Sequence, residues 1–202
     1  MFEKGVDYWC DYEMKPVESL FQEHRYDILQ ILSKKEEGTT FKEILGNVAR
    51  VAGRSKEDLD TGHGLVKAVY ELVELDLIEK RGPDSYILAK KGKRILHAMD
   101  SLDEMERKSL SEPSAIQMVK LLGSLHNTSI YRLKSRLSST VQVETLAEKL
   151  KDTGLVDFKE SPLNTHRVVD LTARGEEACR VIVQIEAETQ SRDTQQRRRP
   201  HF

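Results

Sequence analysis

Two Leu-x-x-x-Gly steps, Leu88 to Gly92 and Leu171 to Gly175, each follow a short apolar-polar-apolar stretch and each open a helical pattern. Each stretch begins on an apolar pair, Leu77-Ile78 in one case and Leu155-Val156 in the other. Landmarks repeated in the same order constrain a fold more tightly than composition does, because each copy must bury its faces in the same way. The chain therefore reads as one plan used twice, with sequence identity between the copies nearly erased.

In the second copy, Ile116, Val119, Leu122 and Leu125 recur at helical spacing in SAIQMVKLLGSLHN. TSIYRLKSRL gives a second, short helix with Thr128 as its expected N-cap. Ser139 to Gln142 has capping-box spacing and is expected to open a third helix, with Val143, Leu146, Ala147 and Leu150 inward. Gly154 suits a left-handed C-cap. A hairpin follows, carrying Lys159, His166 and Arg167 towards its tip. The first copy keeps the order. RYDILQILSKKEEG is a helix closed by Gly38, with Ile28, Leu29 and Leu32 inward, and TTFKEILGNVARV and LVKAVYELVELDLIEK are the next two helices. KRGPDSYILAKKG is a shorter hairpin with a Gly-Pro-Asp turn, and AGRSKEDLDTGHG is an insertion that the second copy lacks.

Three helices and a two-stranded hairpin resemble the winged-helix variant of helix-turn-helix. The second copy is similar to the multiple-antibiotic-resistance-regulator type through "LKDTGLV" at the end of the third helix, the tip "NTHRVV", and "DLTARGEEAC". The likeness covers residues 114–182 and, less closely, 25–97. The tip departs from the family's Asp-x-Arg, since Asn164 and Thr165 precede His166 and Arg167. The implied fold is mainly α with small β-hairpin wings (α+β), as two tandem winged-helix domains joined by a helical linker. Its expected divisions are an N-terminal extension (1–24), domain 1 (25–97), the linker (98–113), domain 2 with a C-terminal helix (114–190), and a basic disordered tail (191–202). The linker reads as one helix with Ile95, Leu96, Met99, Leu102 and Met105 on a single stripe, and Tyr8, Trp9 and Tyr12 are expected to pack on a domain or a partner.

In a winged helix that binds DNA, the third helix meets base edges in the major groove while the second helix and wing touch phosphates. The resemblance thus implies base contacts for Ser139, Thr140, Gln142 and Thr145, and phosphate contacts for Arg132, Lys134, Arg136, Lys159, His166 and Arg167. In the first copy it implies phosphate contacts for Lys80 and Arg81. Net charge is −2, so no global basic field points to nucleic acid, but Pro113 to Val143 holds no Asp or Glu while containing Lys120, Arg132, Lys134 and Arg136. An ordinary solvated basic face is the bland alternative. The first copy carries Glu71 and Glu74 on its third helix, with Asp58 and Asp60 before it, acids that would face phosphates.

Other chemistries find little support. The six histidines show no H-x-x-x-H pair, and Cys10 and Cys179 are too few for a disulfide framework or a four-ligand zinc site. His63 in Thr-Gly-His-Gly lacks the rest of a phosphate-binding loop, and no Ser or Cys sits in a nucleophile elbow. The expectation is no enzyme, no cofactor and no metal. No apolar run approaches the ~18 residues that span a bilayer, so a cytoplasmic protein with no membrane partner is expected. Leu102, Met105, Val181, Ile182 and Ile185 form stripes expected to pack helix on helix, between the copies or across a homodimer. The leading expectation is sequence-specific binding of double-stranded DNA by a transcription regulator acting through domain 2. The rival is a tandem winged-helix assembly module of the condensin-accessory or sorting-complex type, with a protein partner on domain 1.

Overall fold

The computed structural model describes residues 16–22, 24–52, 63–138, 140–159 and 167–196. The first half runs α1 (Pro16–Leu20), α2 (Arg25–Ser33), β1 (Thr39–Thr40), α3 (Phe41–Ala52), α4 (His63–Glu74), β2 (Ile78–Arg81) and β3 (Ser85–Leu88). Two helices, α5 (Lys90–Met99) and α6 (Glu104–Ser109), lead to the second half. That half is α7 (Pro113–Leu125), β4 (Thr128–Ser129), α8 (Ile130–Lys134), α9 (Val143–Asp152), β5 (Val156–Lys159), β6 (Val168–Leu171) and α10 (Ala173–Gln196). The result is a mixed α+β fold with two small antiparallel sheets of matching order, β1-β3-β2 and β4-β6-β5.

The duplication extends to single residues. Leu65, Ala68, Val69 and Leu72 line the buried side of α4 at the spacing of Val143, Leu146, Ala147 and Leu150 in α9. Both helices stop in the same way: the Leu77 N–H donates to Leu72 O and the Leu155 N–H to Leu150 O, each at 2.9 Å. The left-handed residue this stop requires is Asp76 in one half and Gly154 in the other. Thr39 pairs with Tyr86 across one sheet and Thr128 with Val169 across the other, both threonines buried. Gly92 and Gly175 have one role, since a Cβ there would stand 2.1 Å from Leu77 O and 1.9 Å from Leu155 O. The helix after each hairpin can therefore seat directly on the residue that precedes the hairpin's first strand, Leu77 before β2 and Leu155 before β5.

Several boundaries differ from those the sequence suggests. Gly38 does not close α2, which ends at Ser33; it lies instead where its backbone passes β3, beside Ser85. Thr39–Thr40 is a strand rather than the start of the second helix. Thr128 is likewise a buried strand residue, and Ser129 caps α8 by accepting the Arg132 N–H at 3.3 Å. No capping box opens α9, which starts at Val143 after a turn in which the Val141 N–H donates to Ser138 O. LVKAVYELVELDLIEK stops being helical at Glu74, and Ile78 onward is strand. The linker is two helices, because Asp103 and Glu106 form a reciprocal capping box that starts α6 afresh.

The halves do not have separate cores. The buried apolar residues form one cluster running from Val17 to Ile185, which includes Leu102 and Leu110 of the linker and Val17 and Leu20 of the expected extension. The long α10 is the reason, since it packs against α1, α5 and α7. Leu102, Val181, Ile182 and Ile185 are all buried inside the chain, whereas Met105 is exposed. Three ion pairs fix α10 in place: Arg94 to Glu188 at 2.7 Å, Lys120 to Glu186, and Arg174 to Glu106, the last with a second bond of 2.6 Å from Nε. Among the described residues no helix is long and apolar enough to cross a membrane.

Candidate nucleic-acid interface

The α8 segment rises from the β4 edge, with Leu133 turned into the core and Tyr131, Arg132, Lys134 and Arg136 turned outward. Arg132 and Arg136 make no ion pair among the described residues, and Tyr131 beside them is 78% exposed. An unpaired guanidinium on a surface keeps its full capacity for a phosphate. The two arginines are specific to this half. The matching α3 positions, counted from the shared buried residues Ile44 and Leu133, hold Glu43 and Asn47. Glu43 is committed to its own half, because the Lys35 ammonium and the Thr40 N–H and hydroxyl lower its carboxyl to about 2.

The other cations expected at phosphates are already engaged. Lys134 pairs with Glu144 on α9. That ammonium, aided by the Glu144 backbone N–H, holds the carboxyl below its usual range. Arg167 pairs with Glu148 at 3.0 Å and lies 5.4 Å from the Phe158 ring centre, with Lys151 at 5.1 Å from the same ring. Lys159 donates to Asp170 at 2.6 Å and to Asn127 at 3.2 Å. Burial pushes the Asp170 carboxyl up, and Lys159 with the Asn127 and Leu171 N–H groups more than offsets it, leaving it below the usual range. Lys120, inside the acid-free window, is partly buried and pairs with Glu186 on α10. Exposed pairs such as those of Lys134 and Arg167 are weak and exchangeable, so a phosphate can replace the carboxylate.

Of the residues expected at base edges, Thr140, Gln142 and Thr145 are exposed around the start of α9. Gln142 is the N-cap residue but makes no side-chain cap bond, and its Oε1 accepts the Thr145 hydroxyl at 3.4 Å. Ser139, His166, Asp58, Asp60, Cys10 and the aromatic residues Tyr8, Trp9 and Tyr12 lie outside the described residues, as do most of the insertion and the last part of the tail.

The first half offers a different surface. Lys80 and Arg81 at the end of β2 are exposed and make no ion pair among the described residues. Glu71 does not face outward as the sequence suggests. Its carboxylate accepts Ser19 Oγ at 2.9 Å and Arg25 Nε at 3.1 Å, which ties α1 and α2 to α4. Burial pushes this carboxyl up, and the Arg25 and Ser19 hydrogen bonds with the charges of Arg25 and Lys67 outweigh it. Beside Lys67 and Glu74, which are exposed as expected, α4 also exposes Val66 and Tyr70, one turn apart. The matching α9 positions are Glu144 and Glu148, acids whose placement on the outer edge is missed when each helix is read by its buried stripe alone. Their one-turn spacing just past the acid-free window was the available signal.

Among the described residues no cluster of His, Cys, Asp and Glu is placed to hold a metal. Cys179 is half-buried beside Gly123, and burial raises its thiol above the usual range, as expected for a packing residue. Comparison with protein-family models, with curated proteins and with solved structures finds no match to this chain.

Proposed function

We propose that this protein binds double-stranded DNA through its second half and acts as a transcription regulator in the cytoplasm. In this reading residues 25–97 and 114–190 are two winged-helix units of the multiple-antibiotic-resistance-regulator kind. The second docks α9 in the major groove, with α8 and the β5–β6 hairpin along the backbone. The observation that carries it is the outward pair Arg132 and Arg136, unpaired among the described residues, in a segment free of acids and next to the exposed start of α9. Lys134 and Arg167 stand at the two flanks of α9 and become available when their surface pairs open. The first half serves as a brace, with Lys80 and Arg81 as its backbone contacts.

An anisotropy titration of the full chain on a random-sequence duplex at two salt concentrations tests this. DNA binding releases condensed counterions, so affinity falls steeply with salt; an affinity indifferent to salt, or none at low salt, removes the reading. The second reading, a protein-assembly module, is favoured by the exposed Val66 and Tyr70 on α4, where a DNA-reading helix would carry polar side chains. A homodimer built on the α10 stripe is no part of either reading, because Val181, Ile182 and Ile185 are used within the chain.

A further inference from the structure

We propose that Glu144 and Glu148 determine the sequence specificity of the α9 face, each reading a cytosine through its exocyclic amino group. The inference rests on the DNA reading above. The two side chains stand one helical turn apart on the outer edge of α9, at 57% and 49% exposure. Each is held by a cation from a different neighbouring element, Glu144 by Lys134 of α8 and Glu148 by Arg167 at the foot of β6. The fold does not need acids there, since the same positions of the duplicated α4 carry Val66 and Tyr70. Their presence on the one helix flanked by Arg132, Arg136, Lys134 and Arg167 therefore asks for a reason in recognition rather than in folding.

The chemistry narrows the reason. An ionised carboxylate accepts hydrogen bonds and cannot donate them. Of the four bases, only cytosine and adenine present donor groups in the major groove, and cytosine N4 is the usual partner of Glu. Adenine adds the N7 acceptor beside its amino group, which suits Gln or Asn and repels a carboxylate. On docking, Lys134 and Arg167 exchange their carboxylates for phosphates, an exchange that weak exposed pairs permit. Glu144 and Glu148 are then left facing base edges. Opposite cytosine each finds a donor; opposite guanine or thymine each meets acceptors while surrounded by phosphates. The acids thus act mainly by rejecting wrong sequences, which is how a protein with a small net charge can bind DNA selectively. Gln142 and Thr145, hydrogen-bonded to each other, become secondary contacts at the rim.

The test uses the full chain and a randomised duplex library. Sites are selected by the wild type, Glu148→Ala, Glu148→Gln and Glu144→Ala, and the affinities for the selected site and for a scrambled duplex are compared at one salt concentration. The wild type is expected to enrich cytosine at two positions, each worth roughly ten- to a hundredfold, the span of a good base contact. Glu148→Ala should lose the preference at one of them while binding the scrambled duplex several times more tightly, because one negative charge is gone. Glu148→Gln should move that position from cytosine to adenine, a change that a merely structural role for the Arg167 pair would not produce. A wild-type consensus without cytosine, or one unchanged in all three variants, overturns this inference and leaves the DNA reading standing. A wild type that binds no duplex overturns both.

Discussion

Replacing Gly175 with alanine tests the central geometric claim, that the helix after each hairpin sits directly on the turn after the third helix. The added Cβ would lie 1.9 Å from Leu155 O and 2.9 Å from Leu155 C, both backbone atoms that cannot rotate away. To reach an ordinary contact the start of α10 must retreat from the strand by about 1.5 Å, the kind of overpacking that costs roughly 1–3 kcal/mol. The same carbonyl accepts the Thr172 N–H at 3.1 Å and the Thr172 hydroxyl at 3.3 Å, so retreat also stretches those bonds, each worth about 1 kcal/mol. Alanine's better helix propensity returns about 1 kcal/mol. The net loss is about 2–4 kcal/mol, which at an m-value near ~2 kcal/mol/M lowers the urea midpoint by about 1–2 M. Far-UV circular dichroism against urea measures it. Gly92→Ala, whose Cβ would stand 2.1 Å from Leu77 O, should behave alike, and Gly64→Ala, with nothing within 4 Å, should not lose stability. A Gly175→Ala midpoint equal to or above the wild type would refute the reasoning.

Removing Arg174 leaves Glu106, whose side chain is 2% exposed, without its cation, so Arg174→Ala should lower the Tm. The Glu71 carboxyl sits below its ordinary value in the folded state, so its contribution is complete above the unfolded pKa of about 4.3 and is lost as pH falls through the folded value. Wild-type stability should therefore decline with acid below about pH 4.3, and Arg25→Ala should flatten part of that decline in urea titrations run at successive pH values. Arg132→Ala and Arg136→Ala should weaken binding to every duplex alike and flatten the salt dependence by up to about one unit of slope each, measured by anisotropy across a salt series. Variants that leave the slope unchanged would place the phosphates elsewhere.

The repeat was legible because its signals are local. Buried stripes at helical spacing, the Leu-x-x-x-Gly steps and the Gly154 stop each reside in a few consecutive residues, and all three recur in the structure. Two-residue strands such as Thr39–Thr40 and Thr128–Ser129 carry no periodicity, so they vanish into the helices that follow them. The break between α5 and α6 was hidden because Leu102 keeps an apolar stripe in step while Asp103 and Glu106 restart the helix. The single core was hidden for a different reason: which surface covers a stripe depends on partners far along the chain, here α10 against α5 and α7. The candidate interface was legible as an acid-free window, yet its charge balance was not. That Lys134, Lys159 and Arg167 are engaged, and that Glu71 turns inward, are facts of pairing between elements that spacing along one element cannot express.

The ties made by α10 also order events in time. Arg94 reaches Glu188 across 94 positions, and α1, near residue 16, has its seat against the same helix. During synthesis the first half emerges with α1 and α5 lacking the surface they finally cover, and it stays in that state until residues 173–190 have left the ribosome. Contacts this distant in sequence form late and leave apolar surface open meanwhile. Closure of the single core should thus be a late event that waits for α10, while the local pairings within each sheet can form earlier.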